Sequence, residues 1–387
     1  MASAFDRPSL EKMSGVRFTD GNRVTLLYKG KDSFNAIFRS VSEAKSLICL
    51  QFYIFRNDET GNELAELLKA KARDGVNIYV LYDHFGSIGT PRRFWQDLKA
   101  AGIDIKASRP FKWLSPFHYP RRDHRKLLII DGIKAFTGGL NIANEYRGFH
   151  LRTKRCWRDT GIILGGPIVS ELFCTFRKAW QTWGGDPIPV SETNVPFLSD
   201  VQVQPGLPVI PIFASSAKGR RRMRKLFYYS IARAEKCILL TTAYFTPSRR
   251  MLDSLEDAVR RGVEVKLLLP GQSDVPAAYY AGRAFFSRLL KKGIRIFAYQ
   301  GEVLHAKSFV FDGYWSVVGS ANLDFQSLRW NDEGNVGILD NDFGQEMTAV
   351  FEEDMAHAIE IKRDEWIHRP FSQKIKERFF VLFRRRL

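Results

Sequence analysis

Along this chain, β-branched apolar runs alternate with amphipathic segments. Leu47 to Phe55 and Cys237 to Phe245 read as buried strands, while Gly61 to Arg73 and Met251 to Arg260 read as helices with one apolar face. The alternation is the rhythm of βα units and predicts an α/β fold on a largely parallel sheet. Between Gly184 and Pro208, Pro187, Pro189, Pro196, Pro205 and Pro208 occur without periodicity, so this stretch reads as a connection between two such units.

The two units are copies of one another. His124-Arg-Lys-Leu-Leu-Ile-Ile-Asp-Gly132 is matched in order and chemistry by His305-Ala-Lys-Ser-Phe-Val-Phe-Asp-Gly313. The register runs on without a gap, pairing Lys126 with Lys307, Asp131 with Asp312, Gly138 with Gly319 and Asn141 with Asn322. Upstream, the strand ending at Phe55 matches the one ending at Phe245, with Tyr53 set against Tyr244. Asp74-Gly-Val-Asn-Ile-Tyr-Val matches Arg261-Gly-Val-Glu-Val-Lys-Leu, and Ala101-Gly-Ile-Asp-Ile matches Lys292-Gly-Ile-Arg-Ile. A duplicated chain packs its halves about a pseudo-twofold axis, which would bring the equivalent motifs face to face.

On a strand, a histidine and a lysine two residues apart share one face, anchored by the apolar run that follows. Two such faces meeting would present two imidazoles and two ammoniums to one small site, which suits a phosphodiester. The lysines and the amides of Asn141 and Asn322 could bind the non-bridging oxygens as charge builds. One neutral histidine would attack phosphorus to form a phosphohistidine while the other, protonated, supplies the departing alkoxide with a proton; the roles then reverse. Gly138-Gly139 and Gly319-Ser320 would let the backbone come close. Each histidine needs a carboxylate on its other nitrogen, and Asp159, in Trp157-Arg-Asp-Thr, and Glu333, in Asn331-Asp-Glu-Gly-Asn, are the candidates. Asp131 and Asp312 complete the repeated set and are counted with the catalytic residues, though they end apolar runs, which gives them a structural part, closing hydrogen bonds or holding a lysine. His84, His118 and His150 show no ligand spacing and lysines beside the active histidines would repel a cation, so no metal or other cofactor is expected.

Composition adds a partner. The 387 residues carry a formal charge of +17, which predicts attraction to nucleic acid or to an anionic membrane surface. No window approaches the apolar length of a membrane-spanning helix, and Met1 to Lys12 lacks the apolar run of a signal peptide. Cys49, Cys156, Cys174 and Cys237 are scattered without metal spacing and read as reduced core thiols. These features predict a cytosolic protein or one lying on the cytosolic face of a membrane.

The motifs resemble the phospholipase D superfamily signature, His-x-Lys-x4-Asp followed by Gly-Gly or Gly-Ser, written twice in its two-domain members. The resemblance runs from about Gly21 to Lys362. Gln51-Phe-Tyr-Ile-Phe, Gly139-Leu-Asn-Ile, Trp157-Arg-Asp-Thr, Ala243-Tyr-Phe-Thr-Pro, Gly319-Ser-Ala-Asn-Leu-Asp and Asn331-Asp-Glu look like the bacterial cardiolipin synthases, of the shorter peripheral type, with Gln326 where many relatives have Arg. This implies two tandem phospholipase D-like βα domains, residues 1–190 and 208–365, joined by a linker at 191–207 and followed by a tail at 366–387, with the active site at their interface. It implies transfer of a phosphatidyl group between two phosphatidylglycerol molecules, releasing glycerol, without a metal. It also implies His124 as nucleophile and His305 as acid and base; the near-symmetric sequence itself leaves those roles open. Hydrolysis to phosphatidic acid would use the same residues, and a nuclease would suit the charge, but the aromatic basic segments favour lipid over nucleic acid. A non-enzymatic lipid-binding protein is the remaining class, disfavoured by the intact histidines and lysines. One chain would suffice for the site.

Lipid substrate requires a docking surface. Phe111 to Arg122 mixes aromatics and cations just before His124, and reads either as an interfacial segment or as a loop covering the site. In the tail, Ile375, Phe379, Leu382 and Phe383 recur at helical spacing opposite Lys374, Lys376, Arg378 and Arg384 to Arg386, so a basic amphipathic helix is expected, lying on lipid or packed on the body. The cytoplasmic face of a bacterial inner membrane is the expected location.

Overall fold

The computed structural model describes residues 4–111, 121–148, 157–189 and 206–384. Its first half contributes β1 (Thr19–Leu27), β2 (Leu47–Phe52), β3 (Asn77–Asp83), β4 (Asp104–Ser108), β5 (Leu127–Ile130), β6 (Lys134–Gly138), β7 (Trp157–Arg158) and β8 (Gly161–Gly165). The second contributes β9 (Leu207–Ala214), β10 (Cys237–Thr241), β11 (Glu264–Pro270), β12 (Arg295–Tyr299), β13 (Val303–Leu304), β14 (Ser308–Phe311), β15 (Trp315–Gly319), β16 (Glu333–Leu339) and β17 (Ala358–Glu360). Of the expected connection, residues 190–205 lie outside the described residues; Gly184 to Pro189 follow on from the first half, with Ile188 buried, and Leu207 opens β9.

All but β7 and β13 join one sheet. Outward from its centre, β1-β8-β6-β5-β2-β3-β4 repeats the order β9-β16-β15-β14-β10-β11-β12, with β17 added at the second edge. The pseudo-twofold axis therefore passes between β1 and β9, which pair antiparallel. The sheet is less parallel than its rhythm predicts. Only β2-β3-β4 and β10-β11-β12 run parallel, each joined by helical crossovers. β5 and β6, like β14 and β15, are hairpins, and a connection of a few residues cannot reverse direction twice as a parallel pair requires. Asp131 and Gly132 both have positive φ, 51° and 69°, as do Asp312 and Gly313, 57° and 63°: this is the left-handed hairpin turn that Asp-Gly favours.

Helices cover both faces of the sheet. On one, the helices Ile168–Thr182 and Asn341–Ala356 build a core shared by the halves, in which Phe176 and Trp180 belong to one cluster with β-strand residues of both copies. Each such fully buried large side chain contributes about 1.5–3 kcal/mol. On the other face the halves have separate cores. The helix Arg7–Ser14 crosses over: its Leu10 is buried in the second half's core, and it packs against the helix Ala217–Arg233. Cys49 is buried and Cys237 half-buried, but Cys174 is exposed on the outer side of its helix, between the inward-facing Phe173 and Phe176, and is no core thiol; Cys156 lies outside the described residues. Among the described residues no helix is long and apolar enough to cross a membrane.

Candidate active site

Each histidine stands just before a short strand whose apolar residues are fully buried, β5 for His124 and β14 for His305. The two approaches are held across the twofold axis. β13 pairs in parallel with β7, so that Val303 opposes Trp157 and Leu304 opposes Arg158, while Asp123 bridges to Asp332. The His305 backbone N–H donates to the Arg158 carbonyl at 2.8 Å, and the His124 N–H donates to the Asp332 carbonyl at 2.8 Å.

This exchange delivers each carboxylate to the histidine of the other half. His124 Nδ1 lies 3.0 Å from Glu333 Oε2, and His305 Nδ1 lies 2.6 Å from Asp159 Oδ2. Counting within each half couples His124 with Asp159 and His305 with Glu333; the structure crosses those pairs. It also explains why Asp159 lies 35 residues past His124 while Glu333 lies only 28 past His305. Gly161 opposes Gly138 as Asn335 opposes Gly319, so Asp159 and Glu333, each two residues earlier, occupy equivalent positions after loops of different length.

The backbone makes room for these contacts. A Cβ on Gly139 would lie 2.0 Å from Asp159 Oδ1, so only glycine admits that carboxylate. In the other copy the equivalent residue is Ser320, and there the approach is different: its hydroxyl donates to Glu333 Oε2, and its carbonyl lies 3.1 Å from His124 Nδ1. Facing two acceptors, His124 Nδ1 carries the hydrogen, which leaves the lone pair on Nε2. His305 Nδ1 instead meets both Asp159 and, at 2.7 Å, Lys307 Nζ. Each lysine also caps the backbone carbonyl of its own histidine, Lys126 Nζ at 2.7 Å from the His124 oxygen and Lys307 on that of His305.

All four basic side chains are buried, and burial sets their titration. It lowers Lys126 to about 7 and Lys307 to about 8, against the opposing pull of the carboxylates. Burial, reinforced by Lys307, takes His305 down to about 4; burial and Lys126 lower His124 in the same direction. Asp159 is also buried, which disfavours its charge, but Lys307 and His305 prevail and hold its pKa below the ordinary carboxylate value. The free site thus favours neutral imidazoles, beside lysines whose own charge burial weakens and an Asp159 carboxylate that keeps its charge. An entering phosphodiester anion favours the protonated forms.

The remaining expected residues divide. Asn141 Oδ1 accepts from the Ile54 N–H at 3.1 Å and its amide donates to Tyr146 Oη at 2.7 Å, while Asn322 Oδ1 takes the Thr242 hydroxyl at 3.3 Å. Both asparagines tether the loops that leave β2 and β10. Asp131 and Asp312 stay away from the histidines, at the far ends of β5 and β14. Asp131 accepts from the N–H groups of Lys45, Ser46 and Leu47, and Asp312 from those of Glu235, Lys236 and Cys237; among the described residues neither holds a lysine side chain. Their place in the catalytic set is thereby corrected to a structural one. Asp131→Ala should lower stability by about 2 kcal/mol, from the loss of several charge-assisted hydrogen bonds, while turnover per folded molecule stays unchanged; urea unfolding beside an activity assay checks both.

Aromatic rings complete the walls. Tyr53 stands edge-on to His124 with ring centroids 4.9 Å apart, and Tyr244 approaches His305 at 6.2 Å. The register of β2 and β10 makes Tyr244 equivalent to Ile54, so the two tyrosines reach their histidines from positions one residue out of step. Trp157, at 5.0 Å, and Tyr146, at 5.4 Å, also flank His305 and were not singled out by sequence. Trp157 entered the sequence reading only as part of Trp157-Arg-Asp-Thr, and Tyr146 carried no signal beyond its nearness to Asn141. Arg125, the middle residue of the first motif, is buried in a two-pronged pair with Asp123, and Arg158 in another with Asp354. Of the segment Phe111 to Arg122, residues 112–120 lie outside the described residues, as do His118 and His150. No three His, Cys, Asp or Glu side chains converge as metal ligands among the described residues.

Comparison with known proteins agrees with this geometry. The family described as cardiolipin synthase, phospholipase D-like domain, matches twice, over residues 37–180 and 228–355. Cardiolipin synthase A of Pseudomonas fluorescens strain SBW25 is 34% identical over 359 residues, covering 92% of this chain and 73% of that protein. The protein named probable cardiolipin synthase YwiE in Bacillus subtilis strain 168 is 34% identical over 372 residues, covering 94% of this chain and 72% of its own. The crystal structure of phosphatidylserine synthase from Haemophilus influenzae Rd KW20 superposes with a TM-score of 0.72 at 15% identity over 98% of this chain and 100% of that one, a likeness of fold. With two copies of the family's domain meeting at two histidine and carboxylate pairs, the chain belongs to the cardiolipin synthase family of the phospholipase D superfamily and is a phosphatidyltransferase.

Proposed function

We propose that the chain condenses two phosphatidylglycerol molecules into cardiolipin and glycerol through a phosphohistidine on His124. The observation that carries this reading is the pair of buried histidines, each tied at Nδ1 to a carboxylate of the opposite half. The Nε2 lone pair of His124 attacks phosphorus as the bond to the glycerol oxygen breaks, and His305 gives that oxygen its proton. The hydroxyl of a second phosphatidylglycerol then enters, passes its proton to His305 and displaces His124 from phosphorus. Lys126 and Lys307 bind the non-bridging oxygens, and the incoming anion offsets the burial that keeps His305 unprotonated in the free site. Tyr53, Trp157 and Tyr244 enclose the histidines and limit access of water in the second step.

The lipid reaches the site at a membrane surface. The helix Phe371–Val381 docks on the helix Pro276–Arg283 through Glu377, whose Oε1 lies 3.6 Å from Arg283 Nε, and through Phe380, stacked 6.0 Å from Tyr280. Its opposite side carries Phe371, Ile375 and Phe379, followed by Leu382 and Phe383, all 46–76% exposed. An apolar row beside Lys374, Lys376 and Arg378 is the character of an interfacial helix, here both docked and available to lipid. The free thiols Cys49 and Cys237 suit the reducing, cytoplasmic side of a bacterial inner membrane. Both histidine pairs come from one chain, so a monomer suffices.

Incubation with phosphatidylglycerol vesicles in chelator, read by mass spectrometry, should give cardiolipin and free glycerol. Phosphatidic acid as the sole product would make the enzyme a hydrolase, and absence of any lipid product would sink the reading.

A further inference from the structure

A second basic site lies on the second half. Arg221, Arg224 and Lys225 project from the helix Ala217–Arg233, Arg249 and Arg250 from the start of the helix Arg249–Arg260, and Arg329 from the end of the helix Phe325–Arg329; together they line a cavity of about 460 Å³. Among the described residues none of these six forms an ion pair with a carboxylate, although neighbouring arginines do: Arg220 meets Asp332 at 3.2 Å and Arg288 meets Asp253 at 2.6 Å. Like charges gathered without a counter-ion repel one another, and burial together with Arg329, Arg220 and Arg221 holds the Arg224 pKa below its ordinary value. The cluster persists because its members are held by other means. Arg224 donates to the Leu328 carbonyl, Arg250 lies 4.5 Å from the Tyr228 ring, and Tyr228 Oη is 3.1 Å from Ser248 Oγ. Ser248 also caps the helix Arg249–Arg260, accepting from the Met251 N–H, so the helix's positive end points into the same space.

The cavity sits on the edge of the sheet that carries the histidines. The loop that places Tyr244 against His305 ends at Ser248 on the cavity wall, and the chain that leaves Asn322 reaches Arg329 one short helix later. Trp330, next in sequence and exposed, stands at the rim with Arg121 over its ring at 5.4 Å. On the same edge the loops after β3 and β11 expose Phe85, Ile88 and Val275. A cationic cavity rimmed by exposed aromatic and aliphatic side chains matches a bilayer surface, where phosphates lie beside the start of the acyl region.

We propose that this cavity holds the phosphodiester of a non-reacting anionic phospholipid, and so seats the active-site edge of the molecule on an anionic leaflet. The inference rests on the lipid reaction proposed above. Its ligand is a head group in a membrane, and its site is distinct from the histidines.

The test compares the whole protein with the double variant Arg249→Gln, Arg250→Gln, both at exposed positions. Co-sedimentation with vesicles of mixed phosphatidylglycerol and phosphatidylcholine should weaken about thirtyfold, the loss expected for two cations near an anionic leaflet. Binding to phosphatidylcholine vesicles and turnover of monomeric short-chain phosphatidylglycerol should be unchanged. The Arg221→Gln, Arg249→Gln pair, which spares the contact with Tyr228, controls for local misfolding and should show the same loss. Equal binding of variants and parent to the mixed vesicles overturns the proposal, whether or not the variants lose affinity for inorganic phosphate or an oligonucleotide. If the vesicle difference appears but the parent makes no cardiolipin, the proposed reaction fails while the membrane site stands.

Discussion

Given a phosphatidyl ester whose leaving group needs no proton, such as a nitrophenyl ester, the His305→Ala enzyme should still become phosphatidylated, on His124, whereas His124→Ala should not. With phosphatidylglycerol itself both variants should make no measurable cardiolipin, since loss of a general acid alone removes about 10²–10⁴-fold and loss of the nucleophile removes the covalent path. The expected asymmetry comes from the surroundings of Nδ1. On His124 two acceptors, Glu333 and the Ser320 carbonyl, fix the hydrogen there and leave Nε2 free to attack, while on His305 Lys307 competes for the same nitrogen. Intact mass measured at alkaline pH, where phosphohistidine survives, reads the adduct directly. An adduct in His124→Ala and none in His305→Ala would reverse the assignment.

The carboxylates should act crosswise. Glu333→Gln should lower kcat by about 10³–10⁴-fold with little change in KM, because an amide beside Nδ1 can hold the imidazole in its unproductive tautomer. With the nitrophenyl ester that variant should remain slow to form the adduct, while Asp159→Asn should form it at nearly the parent rate and then fail to pass it to an alcohol. In a double-mutant cycle Glu333→Gln should add little to His124→Ala, since the two residues act as one unit. The opposite pattern, Asp159→Asn blocking adduct formation and Glu333→Gln sparing it, would mean that the pairs form within each half.

That crossing is where reading the sequence stopped short. The strands before each motif are local patterns, and the duplication is such a pattern written twice; they were legible because near neighbours in sequence are near neighbours in a βα unit. The histidines, the lysines and both carboxylates were likewise legible as residue types. Which carboxylate serves which histidine depends on 209 and 146 residues of separation, and on the short parallel straps at β7 with β13 and at Asp123 with Asp332, which leave no periodic trace. The mixed direction of the sheet follows from connection lengths, which the apolar rhythm does not weigh. The same limit applies to the helix Arg7–Ser14, whose Leu10 is buried in the other half's core, and to Tyr146 and Trp157, whose contact with His305 is made only across the axis.

The strapped arrangement also orders events while the chain is being made. His124 leaves the ribosome 209 residues before Glu333, and at 5–20 residues per second that interval is roughly 10 to 40 s. Throughout it the nascent first half has its histidine and lysine but not the carboxylate that orients the imidazole, and for the first 181 residues it lacks the partner histidine as well. A chain broken off by premature termination in this window is therefore expected to be born inert, and the chemistry becomes possible only once Glu333 has been made.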